Sequence, residues 1–362
     1  MKKILWLFCI TAVLPWGCVR TLTSPPAPIP APPPSWKAVG NLDLSPGRAD
    51  YSQIYISNNG TPYIAFSDYN NNESLSVMSF NGTAWVTVGG ADFVSGAYFT
   101  SLYVYNNTPY VAFDQGGTAI VIMTFNGTSW VSLPSPNFAT GFGPSISGYN
   151  GTPYVAYTDA SGMAMVMDYT AGAWATVGNA DFSPGGAAYL SLDARSGTPY
   201  VGFCDNFNNQ TATVMMLNGG TWSLVGSAGF STQFISNTHL FLDNGTPYFS
   251  YTDQVNGLGA TVQKFNGTSW SVVGTPGISP PGTNLTAIAV SAGTPYLAVQ
   301  SAYTNTDLVL KYSSGGWVTF GTEGFVVGDG QEASLAVNAN GNPYLAYQDF
   351  GKAGQECVYE YH

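Results

Sequence analysis

One phrase recurs seven times along the chain, and no other feature restricts the fold as much. It reads GTPYIAFSD ending at Asp68, NTPYVAFDQ at Gln115, GTPYVAYTD at Asp159, GTPYVGFCD at Asp205, GTPYFSYTD at Asp253, GTPYLAVQS at Ser301 and GNPYLAYQD at Asp349. Its prolines are Pro62, Pro109, Pro153, Pro199, Pro247, Pro295 and Pro343, so successive copies lie 44 to 48 residues apart. A second marker, a tryptophan after an Asn/Gly-rich turn, falls at Trp85, Trp130, Trp174, Trp222, Trp270 and Trp317, with an orphan copy at Trp36. A period in the forties with several short strands per unit is the signature of propeller blades, and stacked repeats form one body whatever the chain length.

Each unit divides into four strands, here termed a to d. In the fifth, strand a is expected at about Thr238 to Asp243, b at Tyr248 to Thr252, c at Thr261 to Phe265 and d at Trp270 to Val273. Asn244-Gly245 turns a into b and Asn266-Gly267 turns c into d, because both residue types tolerate positive φ. The proline opens strand b, where a missing N–H is tolerated. The seventh unit supplies a, b and c and then the chain ends at His362. Trp36-Lys37-Ala38-Val39-Gly40 is its missing strand d, and pairing it with the C-terminal strand removes the exposed edges of an open array. The sequence therefore predicts an all-β fold: a seven-bladed β-propeller over residues 36–362, closed by its own N-terminal strand. With 8% charged and 14% aromatic residues, 43 Gly and 23 Pro, the composition agrees with strands and turns.

The N-terminus reads as an export signal. Lys2 and Lys3 precede an apolar core from Ile4 to Leu14, too short to span a bilayer and suited to a secretory leader over residues 1–17. Leu14-Pro15-Trp16-Gly17-Cys18 resembles a bacterial lipobox, which implies lipidation at Cys18; Pro15 and Trp16 depart from the usual pattern. The Pro-rich run from Ser24 to Ser35 favours extended polyproline II and forms a tether between anchor and body. The expected location is the bacterial cell envelope, at the outer membrane or surface through the lipid alone, with a secreted protein as the alternative. Removing Lys2 and Lys3 with the leader takes the net charge from −11 to about −13; so acidic a body argues against a nucleic-acid partner. Cys9 leaves with the leader, and Cys204 and Cys357, in units four and seven, are expected as buried thiols too far apart to pair.

The unit resembles several propeller repeats without matching one of them. Strand b ending in Asp after a Gly-rich loop, as in GFVVGDGQEASLAVNANGNPYLAYQD, is similar to NHL repeats, and the turn FNGTSW is similar to the end of the sialidase Asp-box, whose opening Ser and Asp are missing. The Gly-His and Trp-Asp marks of WD40 units and the paired glycines of kelch units are absent. The overall resemblance is to a bacterial propeller-repeat lipoprotein.

The a–b and c–d turns are short and uniform, whereas the d–a and b–c connections vary, and variable loops on a rigid frame are where recognition concentrates. The face carrying those connections, the top face, is the expected binding face. Asp68, Asp159, Asp205, Asp253 and Asp349 end strand b there, either as a carboxylate ring for a cation or sugar hydroxyls or as repeated Asx-type caps; their equivalence favours caps. Aromatic residues beyond them, Tyr69, Phe207, Tyr303 and Phe350, are not shared between units and are candidates for stacking on a sugar or anchoring a protein. With Asp205 they form the expected ligand-binding set.

His239 and His362 are the two histidines, and Arg20, Arg48 and Arg195 the three arginines. A histidine metal cage, a Ser-His-Asp triad or a three-arginine carboxylate clamp has little to draw on, so no metal, cofactor or catalytic residue is assigned. A glycosidase pair needs only two acids, and Asp50, Asp92, Asp181, Glu323, Asp329 and Glu332 lie on top loops. The expected function is non-catalytic binding of a glycan or protein by a monomeric propeller. A polysaccharide lyase or hydrolase and a purely structural module are the alternatives.

Overall fold

The computed structural model describes residues 35–117, 119–135, 138, 140–301, 306–321 and 330–362. They form seven antiparallel four-stranded sheets. The leader, Cys18, the Pro-rich segment before Ser35, Tyr303, Glu323 and Asp329 lie outside the described residues.

The first blade consists of Ala49–Ile56, Pro62–Asp68, Ser74–Phe80 and Trp85–Thr87, and the next five repeat the pattern. The seventh takes strands a to c from Gly330–Val337, Pro343–Asp349 and Gln355–Tyr361, and its strand d is Trp36–Ala38. Trp36 pairs antiparallel with Tyr361, Lys37 with Glu360 and Ala38 with Tyr359. Ser35 and His362 exchange backbone hydrogen bonds of 3.0 and 3.2 Å. Strand a of each blade contacts strand a of the next, and that of the seventh contacts that of the first. The ring is closed by the strand that the sequence assigned to it.

Two repeated devices hold the blades together. The first is the core, which lies between blades: Val39, Tyr344, Ala346 and Val358 of the seventh pack with Ile54, Ile64 and Phe66 of the first. Runs such as Tyr-Ile-Ala-Phe are apolar on both faces for this reason; Pro62–Asp68 is buried along its whole length. The second is the tryptophan. Each indole N–H donates to the backbone carbonyl just past strand d of the preceding blade: Trp85 to Val39 at 2.6 Å, Trp130 to Val88 at 2.8 Å and Trp174 to Leu133 at 2.9 Å. Trp222 reaches Val177 at 2.9 Å, and Trp270 and Trp317 reach Val225 and Val273 at 2.7 Å. Trp36 completes the set on Phe320 at 2.9 Å. In six of the seven the acceptor is followed by a left-handed glycine that gives the ring room. At Gly226 (φ 76°) an added Cβ would lie 3.3 Å from Trp270 and 3.0 Å from Phe265.

The turns behave as their composition dictates. Asn244 and Gly245 take φ values of 48° and 79°. Asn81, Asn126 and Asn266 each accept two backbone N–H groups through Oδ1, which accounts for the repeated Asn-Gly-Thr phrase. Cys204 and Cys357 are free and buried, and burial pushes their thiols up to about 11 and about 12.

Strand a departs from expectation. In the fifth blade it runs Ile235–Asp243, three residues longer at its start than the hydrophobic pattern indicates, because it contains a bulge between Ser236 and His239. Every blade carries a similar irregularity, and these bulges shape the centre of the molecule.

Candidate functional site

The bulges place residues in the left-handed region: Tyr51 (φ 56°), Phe99 (52°), Gly143 (58°), Tyr189 (53°) and Asn237 (49°). Glycine takes this conformation freely and asparagine without great cost, but a tyrosine or phenylalanine there is strained by about 1–2 kcal/mol. Cross-blade hydrogen bonds hold it. Thr100 Oγ1 donates to the carbonyl of Tyr51, Thr238 Oγ1 to that of Tyr189, and Thr286 Oγ1 to that of Asn237 at 2.7 Å. Strained aromatics kept in place by the surrounding frame are a mark of functional positions.

Tyr51, Phe99, Gly143 and Tyr189 rim a cavity of about 700 Å³ on the propeller axis, within the range of small-ligand pockets. Tyr51, Phe99, Phe142 and Tyr189 line it. Phe99, Phe142 and Tyr189 are 57%, 46% and 49% exposed, which is high for rings with no structural reason to face water. Tyr51 and Phe99 contact each other with centroids 5.1 Å apart.

The floor is polar. Gln53, Ser101, Ser145, Ser191, His239 and Ser334, at which strand pairing resumes after the bulge in their blades, separate this cavity from one of about 180 Å³ below. Ser334 Oγ accepts the Ile54 N–H (3.1 Å), Ser101 that of Ile146 (3.0 Å), Ser145 that of Leu192 (3.0 Å) and Ser191 that of Leu240 (2.9 Å). In the fifth blade His239 Nδ1 takes the same role toward Ile288 N–H at 3.1 Å. Nδ1 must then be unprotonated, which assigns the proton of the neutral ring to Nε2. Burial, with the positive charge of Arg195, lowers His239 to about 4, so the imidazole is neutral at pH 7.

One carboxyl group, Asp114, stands among the described lining residues. It is 2% exposed. Oδ2 accepts the Gly143 N–H at 3.1 Å, and Oδ1 has no partner. Burial raises its pKa. At the equivalent position other blades carry donors that tie strand b to the start of the next strand a. Ser67 reaches the Ala97 carbonyl, Thr158 that of Ala187 and Gln348 that of Ala49. Asp114 breaks the pattern.

The smaller cavity below holds Arg195, whose guanidinium pairs with Asp193 and lies 3.8 Å from the Phe241 ring centroid. Asp193 also accepts the Leu242 N–H at 2.8 Å. The ion pair is internally satisfied and braces the channel wall.

The residues expected from the sequence lie elsewhere. Tyr69, 51% exposed, opens the 3-10 turn Tyr69–Asn71 after strand b of the first blade, with Arg48 4.4 Å over its ring. Phe350 opens the corresponding turn of the seventh blade, 5.9 Å from the same guanidinium. The structure thus brings these two together across a blade junction. Phe207, 72% exposed, sits on the turn Asn206–Asn208 of the fourth blade, three blades from either. None of the three lines the axial cavity.

Asp205 requires a correction as a ligand-binding residue, since it has no exposed surface. Its Oδ1 accepts from the backbone N–H groups of Phe207 and Asn208, and its Oδ2 from Asn208 Nδ2 and Thr213 Oγ1. The related aspartates cap the same turn, Asp68 on Asn70, Asp159 on Ser161 and Met163, Asp253 on Val255 and Asp349 on Gly351. Of the top-loop acids, Asp50 is buried and paired with Arg48 at 2.8 Å, and Asp92 accepts from Asn71 at 2.9 Å. The d–a loops are pinned as well. Ser45, Ser183, Ser231 and Ser279 each accept a backbone N–H from strand c of the blade they leave.

Sequence reasoning missed Tyr51, Phe99, Phe142, Tyr189 and Asp114. A signal for three of them was present: Ala49-Asp50-Tyr51-Ser52, Ala97-Tyr98-Phe99-Thr100 and Ala187-Ala188-Tyr189-Leu190 repeat an aromatic two residues after an alanine.

No protein-family model matches the chain, and no curated protein matches its sequence. Solved structures do match in fold. The polysaccharide lyase Uly1 superimposes with a TM-score of 0.55 at 11% identity, over 88% of this chain and 90% of that one. The lectin of Aleuria aurantia, a six-bladed propeller with a fucose recognition mode, superimposes at 0.51 and 12% identity, over 76% and 96%. At these identities the likeness is one of fold alone.

Proposed function

We propose that this propeller binds a glycan in its axial cavity, without chemistry, and that Cys18 anchors it by lipid at the outside of a membrane in the cell envelope. The observation carrying the glycan reading is the rim of Tyr51, Phe99, Phe142 and Tyr189 around about 700 Å³. Their exposed faces suit the apolar faces of sugar rings, and the hydroxyl floor suits sugar oxygens. Propellers of similar fold that bind fucose or act on polysaccharides support a saccharide as the ligand class. A cavity of this size argues against a purely structural module.

The test is a glycan array followed by calorimetry with the full chain carrying Cys18→Ser. The expected result is at least one saccharide bound above background. Tyr189→Ala and Phe99→Ala should each weaken it about tenfold, the equivalent of ~1.4 kcal/mol. Retained affinity in both variants would move the site away from the axis. For the anchor, labelled fatty acid should enter the native chain and not Cys18→Ser.

A second reading, a polysaccharide lyase or hydrolase, draws on Asp114, whose raised pKa suits a general acid. Glycosidases pair two carboxyl groups across the scissile bond, and the described lining provides one. Release of reducing or unsaturated ends from polysaccharide, lost in Asp114→Asn, would establish this reading over binding alone.

A further inference from the structure

The axial cavity distributes hydrogen-bonding character unevenly between floor and wall. Ser101, Ser145, Ser191 and Ser334 each spend a lone pair on a backbone N–H of the next blade. A hydroxyl so engaged still has its proton to give. His239, accepting through Nδ1, likewise has Nε2–H left to donate. The floor therefore offers donors, which meet the oxygens of a ligand.

The wall offers the opposite. Asp114 lines the cavity, is almost wholly buried, and holds one carboxylate oxygen with no hydrogen-bond partner. A buried acceptor left unmatched is costly, and a native structure keeps one only for a reason. The repeat gives that position a hydroxyl or amide donor in the first, third and seventh blades, each with an inter-blade partner. The acid in the second blade makes its tie in the reverse sense, accepting the Gly143 N–H of the next strand a through Oδ2, and is left with an Oδ1 that the tie does not use. Among the described lining residues there is no lysine or arginine to balance the charge.

We propose that the axial cavity selects uncharged sugars, with Asp114 as the specificity-determining residue that accepts a hydrogen bond from a sugar hydroxyl. The inference rests on the glycan-binding reading and refines it. A hydroxyl brings the donor that Asp114 Oδ1 lacks and presents oxygens to the serine floor. A uronate carboxylate brings a second negative charge beside Asp114 with no cation to offset it.

The probes are cellobiose, mannobiose and galactobiose and the matching diuronates, titrated by calorimetry at pH 7 into the full chain carrying Cys18→Ser. The native pocket should bind at least one neutral disaccharide ten or more times more tightly than its diuronate. Asp114→Asn, which keeps size and a carbonyl oxygen but removes the charge, should narrow that ratio to within threefold. Asp114→Leu, which removes the acceptor, should weaken the neutral disaccharide about tenfold; melting curves establish that each variant is folded. A diuronate bound as tightly as its neutral partner, or a ratio unchanged by Asp114→Asn, overturns the proposal. If neutral disaccharides bind and Tyr189→Ala weakens them while the Asp114 variants change nothing, this inference fails and the axial glycan site stands. If no probe binds, both fall.

Discussion

Replacing the tryptophans one at a time tests whether the N-terminal strand is a working part of the ring. Trp222→Phe removes the indole N–H that reaches the Val177 carbonyl at 2.9 Å, from a side chain 8% exposed and stacked on Phe182 at 4.2 Å. A net hydrogen bond contributes about 1 kcal/mol. The smaller ring leaves a void of roughly 30–40 Å³, which at about 24 cal/mol per Å³ adds about 1 kcal/mol. The sum, about 2 kcal/mol, acts against an unfolding entropy of roughly 0.7 kcal/mol/K for a body of this size, so Tm should fall by about 3 °C. Trp36 makes the same 2.9 Å bond to Phe320 and packs edge-on to Tyr361 with centroids 5.5 Å apart. It is half-buried, so Trp36→Phe should cost about 1–2 kcal/mol, or roughly 2 °C. Scanning calorimetry and urea midpoints on the full chain measure both. A drop for Trp222→Phe beside an unchanged Tm for Trp36→Phe would refute ring closure through residues 36–38.

Three further outcomes follow from the same geometry. Gly226→Ala and Gly245→Ala both place a side chain at positive φ, but only the first meets neighbouring rings; Gly245→Ala should cost about 1 kcal/mol and Gly226→Ala about 1–3 kcal/mol more, read from urea midpoints. His239, lowered by burial to about 4, binds fewer protons folded than unfolded between about pH 6.5 and 4. Stability from this group is therefore full above pH 6.5 and declines as pH falls toward 4. His239→Ser, which restores the acceptor used in four other blades, should flatten that part of the pH–Tm curve, and an unchanged curve would remove His239 from the account. Deleting residues 35–40 should lower Tm far more than deleting residues 24–34, and equal Tm values would contradict the closure.

The ring was legible in the sequence because its determinants are local and repeated. The Pro-Tyr phrase opens every strand b, the Asn-Gly turns set the hairpins, and Trp36 without a preceding strand c announces the closure. The capping role of the strand-b aspartates was legible for the same reason, since an Asx turn is decided within a few residues, but the burial of Asp205, which was also placed in the ligand-binding set, was not. The axial site was not legible, and two physical facts explain why. Tyr51, Phe99 and Tyr189 adopt a left-handed backbone that their own preferences oppose, and Tyr51 and Tyr189 are held in it by hydroxyls from the neighbouring blade. Local propensity therefore starts strand a after the bulge and leaves these residues in a loop. The exposed aromatics that did attract notice, Tyr69 and Phe207, are exposed because they sit on tight 3-10 turns at the rim. Asp114 is visible only by its neighbours' geometry: its penultimate place in strand b means nothing until the hydroxyls at the equivalent places are seen bonding across blades.

The crystal structure of the propeller with a saccharide identified by array screening tests the central claim most directly. The account predicts a sugar ring on the axis, in contact with at least two of Tyr51, Phe99, Phe142 and Tyr189, with its oxygens over the serine floor. A sugar seated instead at the rim by Tyr69, Phe207 or Phe350, or in the clefts between blades with the axial cavity left to water, would contradict it.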